Sequence, residues 1–161
     1  MKQFSSFGAL ASHLQKLVLV GHEAMQHAVK ESAEVVVEDA KFQIGAYQPE
    51  TGPFPAWAPL ADSTEAEKAR LGYPADAPLL RTGELRDSIS SEVKGLEAVV
   101  GSSDDVMVYH ELGTDRMPPR PVLGPALFTN RARIVRIIGV TAGAWLAGHG
   151  WKRPGKSISK D

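Results

Sequence analysis

The chain contains no cysteine, which excludes disulfides, thiolate nucleophiles and thiolate-ligated zinc or iron–sulfur centres. Proline is absent from residues 6–44, so nothing there interrupts a helix. Apolar runs are short: the longest, residues 137–148, has about half of the roughly 20 residues that cross a bilayer. Polar residues also break up the apolar ones after Lys2. We therefore expect neither a membrane span nor a signal-peptide core.

The composition is that of a globular protein. The 161 residues are 43% hydrophobic and 23% charged, and this length favours one compact domain. The net charge of -1 is unevenly distributed. From Arg131 onward there are seven basic residues and one acidic residue, a net charge of +6, so residues 1–130 carry a net charge of -7. The sequence predicts an acidic body with a basic C-terminal end.

Two long helices dominate the predicted structure. Apolar and small residues recur three and four positions apart over residues 6–44, which predicts a helix of about 50 Å. Such a helix exceeds what a domain of this size needs, so we expect part of it to project or to pack on a neighbouring subunit. The same spacing predicts a C-terminal helix over residues 122–147.

Between the long helices the pattern is mixed. Prolines predict a loop over residues 47–60, and one of Asp62, Ser63 and Thr64 is expected to cap a short helix that follows. Gly83 is expected to permit a tight turn that leads into a β-hairpin of residues 88–93 and 98–100. Residues 106–109 fit either a third strand or the start of a helix.

The predicted fold class is α+β, a small antiparallel sheet packed with long N- and C-terminal helices. We expect residues 1–148 to form one domain with its core in residues 61–130. Residues 149–161, which combine glycine and proline with basic side chains, predict a flexible basic tail.

Patterns that would indicate catalysis are missing. His22 and His27 are five residues apart, about 140° around a helix, so a shared metal site is not expected. Asp104 and Asp105 fit a turn better than a carboxylate pair. The sequence has no phosphate-binding glycine loop and no Gly-x-Ser-x-Gly motif. We predict a protein that is not an enzyme, with no catalytic residue, metal or cofactor.

The basic end allows one rival function, a small nucleic-acid-binding domain. Its cations could contact phosphates, and Trp145 and Trp151 could stack on bases. Two other interpretations remain open: a solvated helix face, and a positive surface that complements the acidic body of the next subunit. The cations concerned are Arg131, Arg133, Arg136, Lys152, Arg153, Lys156 and Lys160.

Three stretches together resemble a known family. They are residues 54–60 (FPAWAPL) with Thr64 and Lys68, residues 78–89 (PLLRTGELRDSI), and residues 109–124, which run from YHELGT to MPPRPVLG. Their order and spacing resemble the virion-morphogenesis family of tailed bacteriophages, the tail-completion or neck proteins of the Mu-like and related siphophage type. The resemblance covers about residues 50–130. Where the family often has an aromatic residue, this chain has Val122, so we expect a smaller apolar side chain to pack there.

The resemblance implies a structural protein of the virion, made in the host cytoplasm and located at the head–tail junction. It implies a ring, a hexamer, that makes the tail competent to join the head. The implied partners are further copies of the chain, the head-closure or connector protein, and the tail-tube or tail-terminator protein. The resemblance also implies a contact with DNA in the channel. It implies no contact with a membrane.

The proline-rich segment 117–121 predicts a stiff loop that holds Arg120 out at a fixed place. A guanidinium suits a carboxylate, and two interpretations remain open: a pair within the chain with Glu111 or Asp115, and a pair across a ring interface. The full set of candidate interface residues is Arg120, Pro121, Leu123, Trp57, Arg86, Arg131, Arg133, Arg136, Lys152 and Arg153.

Overall fold

A computed structural model of the chain describes residues 6–147. The described residues form five helices and one two-stranded antiparallel sheet, which confirms the predicted α+β class. None of these helices is both long enough and apolar enough to span a membrane. The predicted tail at 149–161 lies outside the described residues. The elements are α1 (Phe7–Gln43), α2 (Asp62–Arg70), α3 (Glu84–Asp87), β1 (Ile89–Lys94), β2 (Glu97–Ser102), α4 (Val106–Leu112) and α5 (Leu123–Leu146).

Helix α1 confirms the first predicted helix to within one residue at each end. Ser6 caps it, since its side-chain oxygen accepts a hydrogen bond from the amide of Ala9 at 3.1 Å. Small buried residues at helical spacing, such as Ala24, Ala28 and Ala40, let other elements pack closely against α1. Residues 7–20 contain no buried side chain among those described, so this third of the helix lies beyond the core.

Helix α5 packs along α1 and confirms the predicted C-terminal helix. Pro125 lies in its first turn, where the missing amide hydrogen costs no intrahelical bond. The projecting part of α1 is accompanied by the end of α5, because Trp145 Nε1 donates a hydrogen bond to the carbonyl oxygen of Leu17 at 2.8 Å. The two helices therefore form an arm, residues 7–20 of α1 with residues 135–146 of α5.

The main core lies where α1, α5 and the hairpin meet. Ile89 and Val122 are fully buried, so Val122 packs as expected for a smaller apolar side chain. Residues 106–109 start helix α4, which decides between the two alternatives for that run. The buried members of this cluster are Val36, Ala40, Ile44, Trp57, Ile89, Met107, Val122 and Ala126.

The hairpin forms as predicted, with a register that runs from the pair Ile89 and Ser102 to the pair Lys94 and Glu97. Gly83 has a φ of +94°, which confirms the tight turn, and the one-turn helix α3 follows it. The predicted side-chain cap of α2 is wrong. The N-cap is Ala61, and Asp62 instead lies in the first turn. Its negative charge there interacts favourably with the positive end of the helix dipole.

Candidate functional site

The three stretches that carry the resemblance meet around one cleft of about 580 Å³. Its walls come from residues 59–68, 79–85 and 104–120. A volume of this size is within the usual range for ligand pockets. Leu79 in the wall has a φ of +62°, a left-handed conformation that is unfavourable for a leucine. The fold thus places sequence-distant residues of the three stretches around a single concave surface.

Arg120 lies in this wall and is only 5% exposed. Its Nε and Nη2 atoms donate to the carbonyl oxygen of Ala58 at 3.3 and 3.0 Å, and Nη2 also donates to the carbonyl oxygen of Pro59 at 3.1 Å. The prediction that the loop holds Arg120 out at the surface is therefore wrong. The loop is stiff enough to direct the guanidinium inward, where it ties the 47–60 loop to the segment before α5.

Glu111, one of the two carboxylates considered as a partner of Arg120 within the chain, has a different role. Its carboxylate oxygen Oε1 accepts hydrogen bonds from the backbone amides of Val122 and Leu123, at 2.7 and 2.6 Å. These amides lie at the start of α5 and have no acceptor within the helix. Within the described residues Arg120 has no carboxylate within 4.0 Å, so neither the pair with Glu111 nor the pair with Asp115 forms.

Lys68 is the second buried cation of the cleft, at 3% exposed. Its ammonium group donates to the carbonyl oxygen of Ala77. Burial lowers the pKa of Lys68, and the positive charge of Arg81 lowers it further, against the opposing effects of Asp76 and Glu65. The sequence placed Lys68 among the resembling residues but gave no reason to expect it inside, since lysines are rarely buried.

His110 contributes an imidazole to the same wall. Its Nδ1 atom is buried and has no hydrogen-bond partner among the described residues, while its carbonyl oxygen accepts from the amide of Arg120 at 2.7 Å. Burial lowers the pKa of His110, as does the guanidinium of Arg120, and Asp104 acts in the opposite direction. The imidazole is therefore held toward its neutral form.

The remaining candidate residues divide into buried and exposed groups. Trp57 and Pro121 are buried and joined to each other, because the indole Nε1 donates to the carbonyl oxygen of Pro121 at 3.1 Å. Leu123 is half-buried against the core. Trp57, Pro121 and Arg120, three of the candidate interface residues, therefore have side chains that pack within the chain. Arg86, Arg131, Arg133 and Arg136 are exposed, whereas Lys152 and Arg153 lie outside the described residues.

Apolar side chains remain exposed along the arm. On α1, Phe7, Leu14 and Val18 are 90%, 52% and 65% exposed, and spacings of seven and four residues put them on one face. On α5, Val135 and Leu146 are 64% and 74% exposed and share a face eleven residues apart. We call these two rows the arm stripes.

Comparison with known proteins gave no relatives. No family model matches the chain, and neither the curated proteins nor the solved structures contain a match. Within residues 6–147 no cluster of histidine and carboxylate side chains could hold a metal ion.

Proposed function

We propose that this protein is a structural component of a phage virion at the head–tail junction. In this proposal it forms a hexameric ring that makes the tail competent to join the head, in contact with the connector or head-closure protein on one side and the tail-tube or terminator protein on the other. The observation that carries the proposal is the pair of arm stripes, since it indicates surfaces that another protein covers.

The stripes matter because exposed apolar surface is costly in water. Single exposed apolar residues are common, but several large ones that share one face of a helix are typical of interaction surfaces. A ring is a closed heterologous assembly, in which one surface of each subunit meets a different surface of the next. The arm carries two apolar rows, one on α1 and the other on α5. In this proposal each row is one of the two surfaces that meet in the ring.

The resembling stretches support the same proposal. They lie far apart along the chain, yet residues from all three line one cleft. A shared surface gives these stretches a common physical role, whereas unrelated matches need not come together.

The proposal is tested by disrupting the gene in a phage or prophage that encodes the chain and by imaging the lysate in the electron microscope. We expect DNA-filled heads and formed tails that do not join, and we expect added wild-type protein to restore joining in an extract. A lysis enzyme would leave finished particles in intact cells, and a packaging factor would leave empty heads. Normal joined particles would overturn the proposal.

A matched pair of variants connects this test to the arm. Val18→Asp places a charge on the α1 stripe, whereas Ser12→Asp places the same charge on another face of the same helix. We expect only Val18→Asp to abolish joining in the extract, with both variants folded by circular dichroism. Equal activity of the two variants would contradict a role of the stripe.

The nucleic-acid alternative predicts a different result. Arg133 and Arg136 are three residues apart on α5 and share a face, whereas Arg131 lies about 140° around the helix from Arg136. If DNA binding by the pure protein weakens steeply with salt, and if gene disruption leaves joining intact, the alternative replaces the proposal.

A further inference from the structure

The cleft contains two buried cations that have no carboxylate partner within residues 6–147. Lys68 and Arg120 are 3% and 5% exposed, and both line the cleft. Their hydrogen-bond acceptors are main-chain carbonyl oxygens, those of Ala77 for the lysine and of Ala58 and Pro59 for the arginine. Buried charges are costly unless they are paired, and carbonyl groups provide partial but not full negative charge.

Both cations also have unused hydrogen-bond donors. An ammonium group has three N–H donors, and one acceptor for Lys68 is found among the described residues. A guanidinium has five, and the Nη1 group of Arg120 makes no hydrogen bond to a described residue. Some N–H donors of both cations therefore have no acceptor among the described residues.

Each carboxylate of the wall has one oxygen hydrogen-bonded to a residue two positions away in the sequence. Glu84 Oε2 accepts from the hydroxyl of Thr82 at 3.0 Å, and Asp104 Oδ1 accepts from the amide of Val106 at 2.9 Å. The third cation of the wall, Arg81, forms an exposed pair with Glu67 at 3.6 Å. Neither wall carboxylate lies within 4.0 Å of a cation of the cleft.

We propose that this cleft binds one carboxylate side chain, carried by an extended segment of a partner protein with apolar residues on either side of it. In the bound state the carboxylate lies in the cleft beside Lys68 and accepts hydrogen bonds from its remaining donors, with the positive charge of Arg120 in the same wall. Charge-assisted hydrogen bonds of this kind are about twice as strong as neutral ones. The inference stands apart from the proposed function, because it describes a binding property of the isolated chain.

The wall composition selects this ligand class over a phosphate or a nucleic acid. Three cations and two carboxylates line the cleft, so the surplus is one positive charge, which matches a monoanion. Glu84 and Asp104 oppose a dianion or a polyanion. Leucines at positions 60, 79, 80 and 85 surround the charged groups and offer apolar contacts that a free phosphate cannot use.

The test is an NMR titration of the full chain with three probes. They are the capped tripeptide acetyl-Leu-Asp-Leu-amide, the same peptide with Asn in place of Asp, and inorganic phosphate. We expect the aspartyl peptide to shift the His110 ring signals and the leucine methyl signals of the cleft in a saturable way, at least about tenfold more tightly than the asparaginyl peptide. Equal binding of the two peptides, or phosphate binding tighter than the aspartyl peptide, would overturn the proposal.

Variants assign the binding to the cleft. Lys68→Met keeps the length of the side chain and is expected to remove the preference for Asp over Asn, whereas Lys30→Met, at an exposed lysine on α1, keeps it. Lys68→Met also removes a buried hydrogen bond, so Arg81→Met, at an exposed side chain, is the second variant, expected to weaken the aspartyl peptide about threefold. No saturable binding of the aspartyl peptide up to about 10 mM would refute the site as well.

Discussion

The carboxylate of Glu111 accepts hydrogen bonds from two successive backbone amides, those of Val122 at 2.7 Å and Leu123 at 2.6 Å. The start of α5 has no side-chain cap from its own N-cap residue, Val122. A residue at the end of α4 therefore satisfies the first amides of α5 and places a negative charge at the positive end of its dipole.

Replacement of Glu111 tests this cap. We expect Glu111→Ala to lower the free energy of unfolding by about 2 kcal/mol, because two partly buried amides lose a charged acceptor. The measurement is urea denaturation followed by circular dichroism. Glu34→Gln is the control, since the exposed pair of Glu34 with Lys30 at 3.9 Å is worth under about 0.5 kcal/mol. An equal effect of the two changes would contradict the cap.

Arg120 is expected to be a stability residue. Arg120→Ala leaves the carbonyl groups of Ala58 and Pro59 without their donors and removes packing of the buried side chain, so we expect a loss of about 2–4 kcal/mol. Arg116→Ala, at an exposed neighbour, is expected to change stability by under about 0.5 kcal/mol in the same denaturation experiment. If Arg120→Ala left the unfolding midpoint unchanged and impaired only particle assembly, the intersubunit interpretation would be correct.

The lowered pKa of His110 predicts a pH dependence of stability. Burial and the charge of Arg120 lower this pKa from its ordinary value of 6.5. Between the folded pKa and about 6.5 the unfolded chain binds more protons than the folded chain, so stability falls as the pH falls through that interval. Below the folded pKa both states are protonated and the loss is complete.

His110→Gln should reduce this dependence. We expect the difference in unfolding free energy between wild type and variant to change between about pH 5 and pH 7, with the wild type losing more on acidification. Between about pH 8 and pH 9 the difference should stay constant, because the imidazole is neutral in both states. A parallel pH profile of the two proteins over the whole range would contradict the assignment.

Gly113, which ends α4, is expected to tolerate no side chain. Its φ is +74°, and an added Cβ would lie 2.9 Å from the backbone nitrogen of Pro119 and 3.0 Å from the carbonyl oxygen of Met117. We expect Gly113→Ala to cost about 2–4 kcal/mol, since the strain adds to a clash with backbone. Gly95→Ala is the matched control, with a φ of +63° but open space around the Cβ, and should cost only about 1 kcal/mol in thermal or urea unfolding.

The long helices and the hairpin were predictable because their signals are local. The three- and four-residue spacing over residues 6–44 depends only on which side of a helix must be buried, and α1 ends within one residue of the predicted bounds. Gly83 and Gly95 likewise mark turns by their own backbone freedom. The cap of α2 was mispredicted because Asp62 is equally suited to the N-cap and to the first turn.

The site was predictable in part. The three stretches, which the sequence analysis grouped by their resemblance to one family, line a single cleft, and Lys68 and His110 belong to them. The burial of Lys68 and His110 was not predicted. The sequence around a lysine or a histidine is the same whether its side chain lies in solvent or in the wall of a cleft. Of the two interpretations for Arg120, the pair within the chain does not form, and its carbonyl partners were not predictable because the sequence does not show where main-chain carbonyl groups point.

By itself, then, the sequence determined the two long helices and the hairpin of this protein, through periodicity and the placement of proline and glycine. Tertiary structure alone decided what those elements enclose. The guanidinium of Arg120 meets the carbonyl of Ala58 across 62 positions of sequence, and Glu111 meets α5 only because α4 ends beside it. Such contacts depend on the relative placement of whole elements, which is fixed by the packing of α1, α5 and the hairpin around a common core rather than by any local pattern.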